Sequence, residues 1–176
     1  MRSLILLAGG LALAANTFFA GQLQAQDDPA AQAERIRAAS GVRGGLVVHV
    51  GCGDGRLTAA LGGPGFLVHG LARSQTVVDH ARAHVKGRGL YGPVSIDRWD
   101  GKHLPYADNL VNLLVSAEAD DLDPAEIQRV LAPQGVACLF VGGQWQKSIK
   151  PRPANIDERT HYLHDSTGNP GSHDEA

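Results

Sequence analysis

The sequence has few cysteines, few aromatic residues and no run of like charge, and each shortage narrows the range of functions. Only two of its 176 residues are cysteines, Cys52 and Cys138, and both lie in apolar or glycine-rich surroundings. This argues against a disulfide framework and favours small buried residues. Lys and Arg (16) nearly balance Asp and Glu (18), and no five like charges are consecutive. We therefore predict no nucleic-acid partner.

The first segment, "MRSLILLAGGLALAANTFFAGQLQAQ", is typical of a secretory leader. It has one early charge, Arg2, an apolar stretch from Leu4 to Ala20, and a small residue at Ala25. This layout predicts a signal peptide over residues 1–25 and export to the periplasm or cell envelope. The alternative is an uncleaved N-terminal anchor, which is disfavoured because the stretch is at the lower limit of length for a membrane span and contains Asn16 and Thr17.

The rest of the chain alternates short apolar runs with helical patterns. After a helix over residues 26–40, five predicted strands lie in "GGLVVHVG", "GFLVHGLA", "GPVSIDRWD", "NLVNLLVSAE" and "GVACLFVGG". Such alternation requires crossover connections, hence a mostly parallel sheet covered on both faces. It predicts a doubly wound, Rossmann-like α/β three-layer sandwich over residues 41–148, with strand order 3-2-1-4-5. Residues 149–176 are predicted to be a flexible polar tail.

Three glycines follow the first predicted strand in "VVHVGCGDGRLTAAL". The carboxyl ends of the strands form the ligand-binding edge of such a sheet, and glycines there permit a tight turn and close approach of a ligand. A dinucleotide fingerprint needs a glycine at position 56, which is Arg56, and the lysine of a phosphate-binding loop is absent. The spacing alone therefore fits either a ligand-binding turn or merely a tight turn between strand and helix.

The same segment resembles the first motif of class I S-adenosylmethionine-dependent methyltransferases, of the type 11-like kind. The likeness continues through "HGLARSQTVVDHARAHV", "DGKHLPYADNLVNLLVSAEAD" and "EIQRVLAPQGVACLF", over about residues 41–143. The resemblance implies S-adenosylmethionine as cofactor and S-adenosylhomocysteine as product. It also implies a set of cofactor-binding residues: Gly51, Cys52, Gly53, Gly55, Ala72, Asp100, Gly101 and Ser116.

The sequence departs from the family pattern at several positions. His49 and Ala72 stand where acidic residues are usual, the latter where the family binds the ribose hydroxyls, and Asn112 replaces an Asp. His49 is interpreted as a core histidine bonded to a backbone carbonyl, or else as a residue that reaches the ligand. The family's last two strands are predicted to be missing, which would leave strand five as an exposed edge.

The tail adds a second resemblance. "PRPANIDERTHYLHDSTGN" is similar to the junction between a methyltransferase-like domain and a quinoprotein-type β-propeller in large exported proteins. It implies a truncated or split relative of such a protein, and a β-propeller-type partner that covers the exposed edge. The tail residues His161, His164, Asp165 and His173 fit no zinc spacing, so no metal site is predicted.

Two functions remain open. The first is an S-adenosylmethionine-dependent methyltransferase-type domain of unknown acceptor. The alternative is a degenerate, non-catalytic module that acts as an accessory or interaction domain in the cell envelope. No catalytic residue is identified. Glu118, Asp120 and Asp121 follow strand four, where groups that orient an acceptor would lie, but they also fit a solvated loop.

Overall fold

A sheet of seven strands with helices on both faces forms the body of the protein. The computed structural model describes residues 28–118 and 122–152, together with the backbone of one two-residue strand near the N-terminus. The elements in chain order are β1 Thr17–Phe18, α1 Pro29–Ser40, β2 Gly45–Val50, α2 Arg56–Leu61, β3 Phe66–Ala72, α3 Gln75–Gly87, β4 Val94–Arg98, β5 Val111–Ser116, α4 Pro124–Val130, β6 Leu131–Val141 and β7 Gln144–Ile149.

The five predicted strands form a parallel core in the order β4-β3-β2-β5-β6. This confirms the doubly wound α/β fold and the predicted order 3-2-1-4-5. The continuous apolar run in β2 has a physical reason, since its residues 47–50 are all buried between the two helical layers. A strand covered on both faces needs apolar side chains on both.

The prediction that the chain lacks both closing strands is wrong. Residues 144–149 form β7, which pairs antiparallel with β6 and covers the edge that was expected to be open. Gly142 and Gly143 make the connection as a two-residue hairpin, both with positive φ (59° and 81°). This is the conformation of a type I′ turn, for which Gly-Gly is a favoured sequence.

Side-chain contacts hold β7 in place. Trp145 is buried and its ring centroid lies 5.6 Å from that of Phe140 on the facing strand. Lys147 Nζ donates a hydrogen bond of 2.7 Å to the carbonyl oxygen of Ala39, in the last turn of α1. The strand ends at Ile149, one residue inside the predicted tail.

β7 is itself paired on its outer side. Thr17 and Phe18 lie opposite Lys147 and Gln146 in antiparallel register. These two residues belong to the predicted leader; the rest of residues 1–25 lies outside the described residues, as does the tail from residue 153. Leader cleavage and export therefore stay predictions. None of the helices in the described part of the chain is long and apolar enough to cross a membrane.

The buried side chains form one cluster on each face of the sheet. The first cluster lies under α1, α2 and α3, and the second lies under α4 and the segment 99–110. Helix α1 belongs to this domain, because Ala33 and Ile36 are fully buried in the first cluster. Asp123 caps α4, its carboxylate accepting a 2.8 Å hydrogen bond from Ala125 N.

Candidate functional site: a cleft at the glycine turn

The turn after β2 requires all three of its glycines. Gly51, Gly53 and Gly55 have φ of 76°, 51° and 79°, a region that other residues rarely adopt. The backbone N–H groups of Gly51 and Cys52 both donate to the carbonyl oxygen of Leu71 at the end of β3, at 2.9 and 3.1 Å. The turn is thereby fixed to the neighbouring strand before α2 begins.

The surroundings of the three glycines differ. A Cβ on Gly55 would lie 3.0–3.1 Å from the backbone and side chain of Ala81, so this glycine allows α3 to pack against the turn. A Cβ on Gly53 would meet nothing within 4 Å, and one on Gly51 would lie 3.1 Å from the carboxyl group of Glu118. Gly53 therefore borders open space, and Gly51 faces the carboxyl group of Glu118.

That open space is a cleft of about 230 Å³ at the carboxyl ends of β2, β3 and β5. It lies beside the point where the strand order reverses between β2 and β5, which is the usual ligand position in such sheets. Its walls are mainly apolar, with three polar or charged residues, and they consist of Val50, Gly51, Gly53, Leu71, Ala72, Arg73, Ser74, Val77, Trp99, Glu118 and Leu122.

Three of the predicted cofactor-binding residues, Gly51, Gly53 and Ala72, line this cleft. Ala72 ends β3 as expected, and the residue is only 5% exposed. The other five predicted residues do not line it. Gly55 packs against α3, as described above.

Cys52 and Ser116 are both buried. Cys52 Cβ lies 3.0 Å from where a Cβ on Gly70 would be, and burial raises the pKa of its thiol to about 11. Ser116 Oγ accepts a 3.1 Å hydrogen bond from the backbone N–H of Glu118 and so shapes the chain after β5. Both side chains support the site without facing it.

Asp100 and Gly101 lie just past the cleft wall. They follow Trp99, which lines the cleft, but Asp100 is exposed and its Oδ1 accepts a 2.9 Å hydrogen bond from Lys102 N. A Cβ on Gly101 would lie 3.0 Å from Nε of Arg73, so this glycine makes room for the arginine.

Trp99 and Arg73 are wall residues that the sequence reasoning missed. Trp99 N–H donates to Ala72 O (2.9 Å) and its Nε1 donates to His103 O (2.8 Å). The guanidinium carbon of Arg73 lies 5.6 Å from the centroid of the Trp99 ring, a cation–π geometry. Arg73 directly follows β3 and Trp99 directly follows β4, which are neighbouring parallel strands. Their shared position after the strand ends could have identified them as wall residues from the sequence.

Helix α4 holds the segment that follows Trp99. Glu126 accepts hydrogen bonds from Arg129 Nε (2.8 Å) and from the backbone N–H of Leu104 (3.0 Å). The bond from Arg129 is the main reason that the pKa of Glu126 falls to about 2. Arg129 also donates to the carbonyl oxygens of Leu104 and Tyr106. One arginine thus anchors this wall.

His49 lies in the core and away from the cleft. It is 3% exposed, its Nδ1 lies 2.8 Å from Thr58 Oγ1, and burial lowers its pKa to about 4. The partner is thus a side-chain hydroxyl and not the predicted backbone carbonyl. Asn112, the other unusual position in the core strands, has an internal role too: its Oδ1 accepts a 2.9 Å hydrogen bond from Leu46 N.

Among residues 28–118 and 122–152, no three His, Cys, Asp or Glu side chains lie close enough to hold a metal ion. Six of the residues considered in the sequence lie outside the described residues: Asp120, Asp121, His161, His164, Asp165 and His173.

Comparison with known proteins agrees with this geometry. Residues 47–135, half of the chain, match the family described as "Methyltransferase domain". A demethylmenaquinone methyltransferase of Lactobacillus johnsonii is 28% identical over 146 residues, which cover 69% of this chain and 60% of the relative. The methyltransferase GfsG of Streptomyces halstedii is 35% identical over 120 residues, covering 62% and 42%. The chain thus spans about half the length of these curated relatives.

Solved structures share the fold. A Methanococcus maripaludis protein assigned as an S-adenosyl-L-methionine-dependent methyltransferase superposes with a TM-score of 0.57 at 25% identity, covering 64% of this chain and 54% of that one. Geranyl diphosphate C-methyltransferase of Streptomyces coelicolor, solved with S-adenosyl-L-homocysteine, has a TM-score of 0.57 at 20% identity, covering 62% and 44%. The second likeness shows the fold alone.

These matches confirm the predicted class of protein, a class I methyltransferase, and its cofactor, S-adenosylmethionine. The family match covers the glycine turn, strands β3, β4 and β5, and helices α2, α3 and α4. The chain belongs to the methyltransferase domain family.

Proposed function

We propose that the cleft beside Gly51 and Gly53 binds S-adenosylmethionine and that the domain transfers its methyl group to an acceptor. The observation that carries the proposal is the turn itself: of its three positive-φ glycines, Gly51 and Gly53 line a cleft at the strand switch. The cofactor supplies the activated methyl group. The chain's residues bind and orient the cofactor.

The residues of the cleft fit the chemistry of this cofactor. The aliphatic walls and the Trp99 ring suit a flat, apolar adenine, and Glu118 offers a negative charge to the cationic methionine end. The open space at Gly53 leaves room for a ligand to approach the backbone. Relatives named as methyltransferases support the reaction, and the acceptor is a separate question.

One observation favours the alternative, a module that has lost catalysis. Ala72 has no carboxylate to hold the ribose hydroxyls, and the cleft of about 230 Å³ is smaller than the 300–1,000 Å³ that is usual for small-molecule sites. Weak cofactor binding without transfer would fit both features. Such a module would act through contacts with a partner protein.

Titration calorimetry separates the two functions. The full chain is titrated with S-adenosylmethionine and S-adenosylhomocysteine, and we expect saturable heat with both. No heat at millimolar concentrations of either compound would favour the non-catalytic module. Gly53→Ala is the matched variant: its added methyl group enters the cleft without touching protein atoms, so it should lower the heat while the fold is kept.

We also propose that residues 1–25 direct export. The support is the single early charge, the apolar stretch and the small residue at Ala25. The intact mass of the protein recovered from the envelope fraction tests it: we expect loss of residues 1–25. Full-length protein in the cytoplasm would refute the proposal. Because β7 covers the edge of β6, a β-propeller partner is not needed to cover that edge.

A further inference from the structure

The cleft has a carboxylate on the side opposite to the one that the family pattern predicts. Ala72, at the end of β3, has none, whereas Glu118, two residues after β5, lines the cleft. Glu118 is the one acidic residue among the described residues that line it. The negative charge of the site is therefore on the β5 side of the glycine turn.

The backbone and the turn fix where this carboxylate lies. The N–H of Glu118 donates to Ser116 Oγ, which is fully buried, so the chain leaves β5 in a defined direction. Cδ and Oε2 of Glu118 come within 3.1 Å of the place where a Cβ on Gly51 would stand. The carboxylate lies over the first glycine of the turn, and a side chain at position 51 would displace it.

The carboxylate is available for a ligand. Within the described part of the chain, its oxygens have neither a hydrogen-bond nor an ion-pair partner, and the residue is exposed. Arg73, the one cationic residue among the described residues that line the cleft, lies over the Trp99 ring, after β3. A hydrated carboxylate without a partner at a cleft mouth is suited to a cationic ligand group.

We propose that Glu118 is a specificity-determining residue that binds the cationic end of S-adenosylmethionine and makes the cleft prefer it to S-adenosylhomocysteine. The inference rests on the proposed function. The two compounds share the adenosine, the ammonium and the carboxylate, and they differ in the methyl group and the positive charge of the sulfonium. A carboxylate beside the sulfonium therefore distinguishes them by charge.

The expected effect is moderate. An ion pair in full contact with water changes affinity by about two- to fivefold. The ligand excludes part of that water, so removal of the charge should weaken S-adenosylmethionine binding by about three- to tenfold. S-adenosylhomocysteine binding should change by less than about twofold, because its sulfur carries no charge to pair with.

The test is calorimetry on the full chain with both compounds, for the wild type, Glu118→Gln and Glu118→Asp. Glu118→Gln should lose the preference for S-adenosylmethionine, and Glu118→Asp should keep most of it. Asp79→Asn is the control for net charge, since Asp79 is an exposed acid on α3 outside the cleft, and this variant should bind like the wild type. Higher salt should reduce the ratio of the wild-type affinities for S-adenosylmethionine and S-adenosylhomocysteine.

The outcomes separate the two proposals. Equal weakening of both compounds in Glu118→Gln, or no change in either, overturns the role of Glu118 while the cofactor site stands. A wild type that binds neither compound overturns the proposed function and this inference with it. Thermal unfolding of each variant shows that the comparison is made between folded proteins.

Discussion

A carboxylate at position 72 should strengthen cofactor binding, and the position of Ala72 in the structure indicates how large the gain in affinity should be. Ala72 is the last residue of β3 and lines the cleft beside the glycine turn, and its carbonyl oxygen is engaged by Trp99 N–H. An aspartate there could accept hydrogen bonds from two ribose hydroxyls, each a charge-assisted contact. After the loss of water from both partners, we expect a net gain of about 1–3 kcal/mol, or about five- to 150-fold in affinity.

The same substitution should cost stability. Ala72 is 5% exposed and belongs to the buried cluster under α1 to α3. A carboxylate at this position loses part of its hydration in the free protein, which we expect to lower the free energy of unfolding by about 1–3 kcal/mol. Bound cofactor should return part of that loss, because it supplies the hydrogen-bond partners.

The measurement combines calorimetry with S-adenosylmethionine and chemical denaturation with and without it. Ala72→Asn is the control, since the amide has a similar shape without the charge and should gain much less affinity. S-adenosylhomocysteine, which has the same ribose, should gain as much as S-adenosylmethionine. Unchanged affinity in a folded Ala72→Asp protein would refute the reasoning that position 72 faces the ribose.

Three further predictions concern the core and the turn. Burial lowers the pKa of His49 from 6.5 to about 4, so unfolding takes up a proton between pH 6.5 and pH 4. The free energy of unfolding should therefore keep its full value above pH 6.5 and fall by about 3 kcal/mol towards pH 4. Denaturation across this range should show a shallower pH dependence in His49→Gln than in the exposed control His80→Gln, and equal slopes would contradict it. Gly55→Ala should lower the free energy of unfolding by about 2–4 kcal/mol, because the residue has positive φ and its added methyl group would meet α3. Gly53→Ala has only the positive φ and should lower it by about 1 kcal/mol. Similar urea midpoints for the two variants would contradict this difference. Both thiols are buried with a pKa near 11, so neither should react with a disulfide reagent at pH 8 until the protein unfolds, and rapid labelling of the native protein would count against their burial.

The parallel core could be predicted from sequence because four of its five strands contain a run of at least three apolar residues, and the fifth, β4, alternates apolar and polar residues. Strand β7, "QWQKSI", lacks such a run: one apolar residue, Trp145, faces the helices, and the neighbouring positions are polar because the strand lies near the sheet edge. The turn of Gly142 and Gly143 was the stronger signal, since two consecutive glycines between extended segments favour a hairpin. In the sequence they end the fifth predicted strand, "GVACLFVGG", and no strand is predicted after them.

The glycine turn could be predicted because residues other than glycine rarely adopt positive φ, so the turn is marked in the sequence by its three glycines. The walls of the cleft could not be predicted in this way. Arg73, Trp99 and Glu118 follow three different strands, and only the register of the parallel sheet brings these strand ends together. Cys52 shows the converse: it stands between two turn glycines in sequence, yet its side chain lies in the core.

The position of the acid also affects what the site can do with its ligand. A carboxylate at the ribose binds S-adenosylmethionine and S-adenosylhomocysteine equally, because methyl transfer leaves the ribose unchanged. A carboxylate at the sulfonium loses its partner charge as the methyl group departs, so the contact is stronger with the reactant than with the transition state. Such a contact strengthens binding and favours product release, but it does not accelerate transfer. The contact that we propose for Glu118 therefore selects the charged cofactor and does not speed its reaction. Fast methyl transfer in this domain would have to come from groups that act on the acceptor.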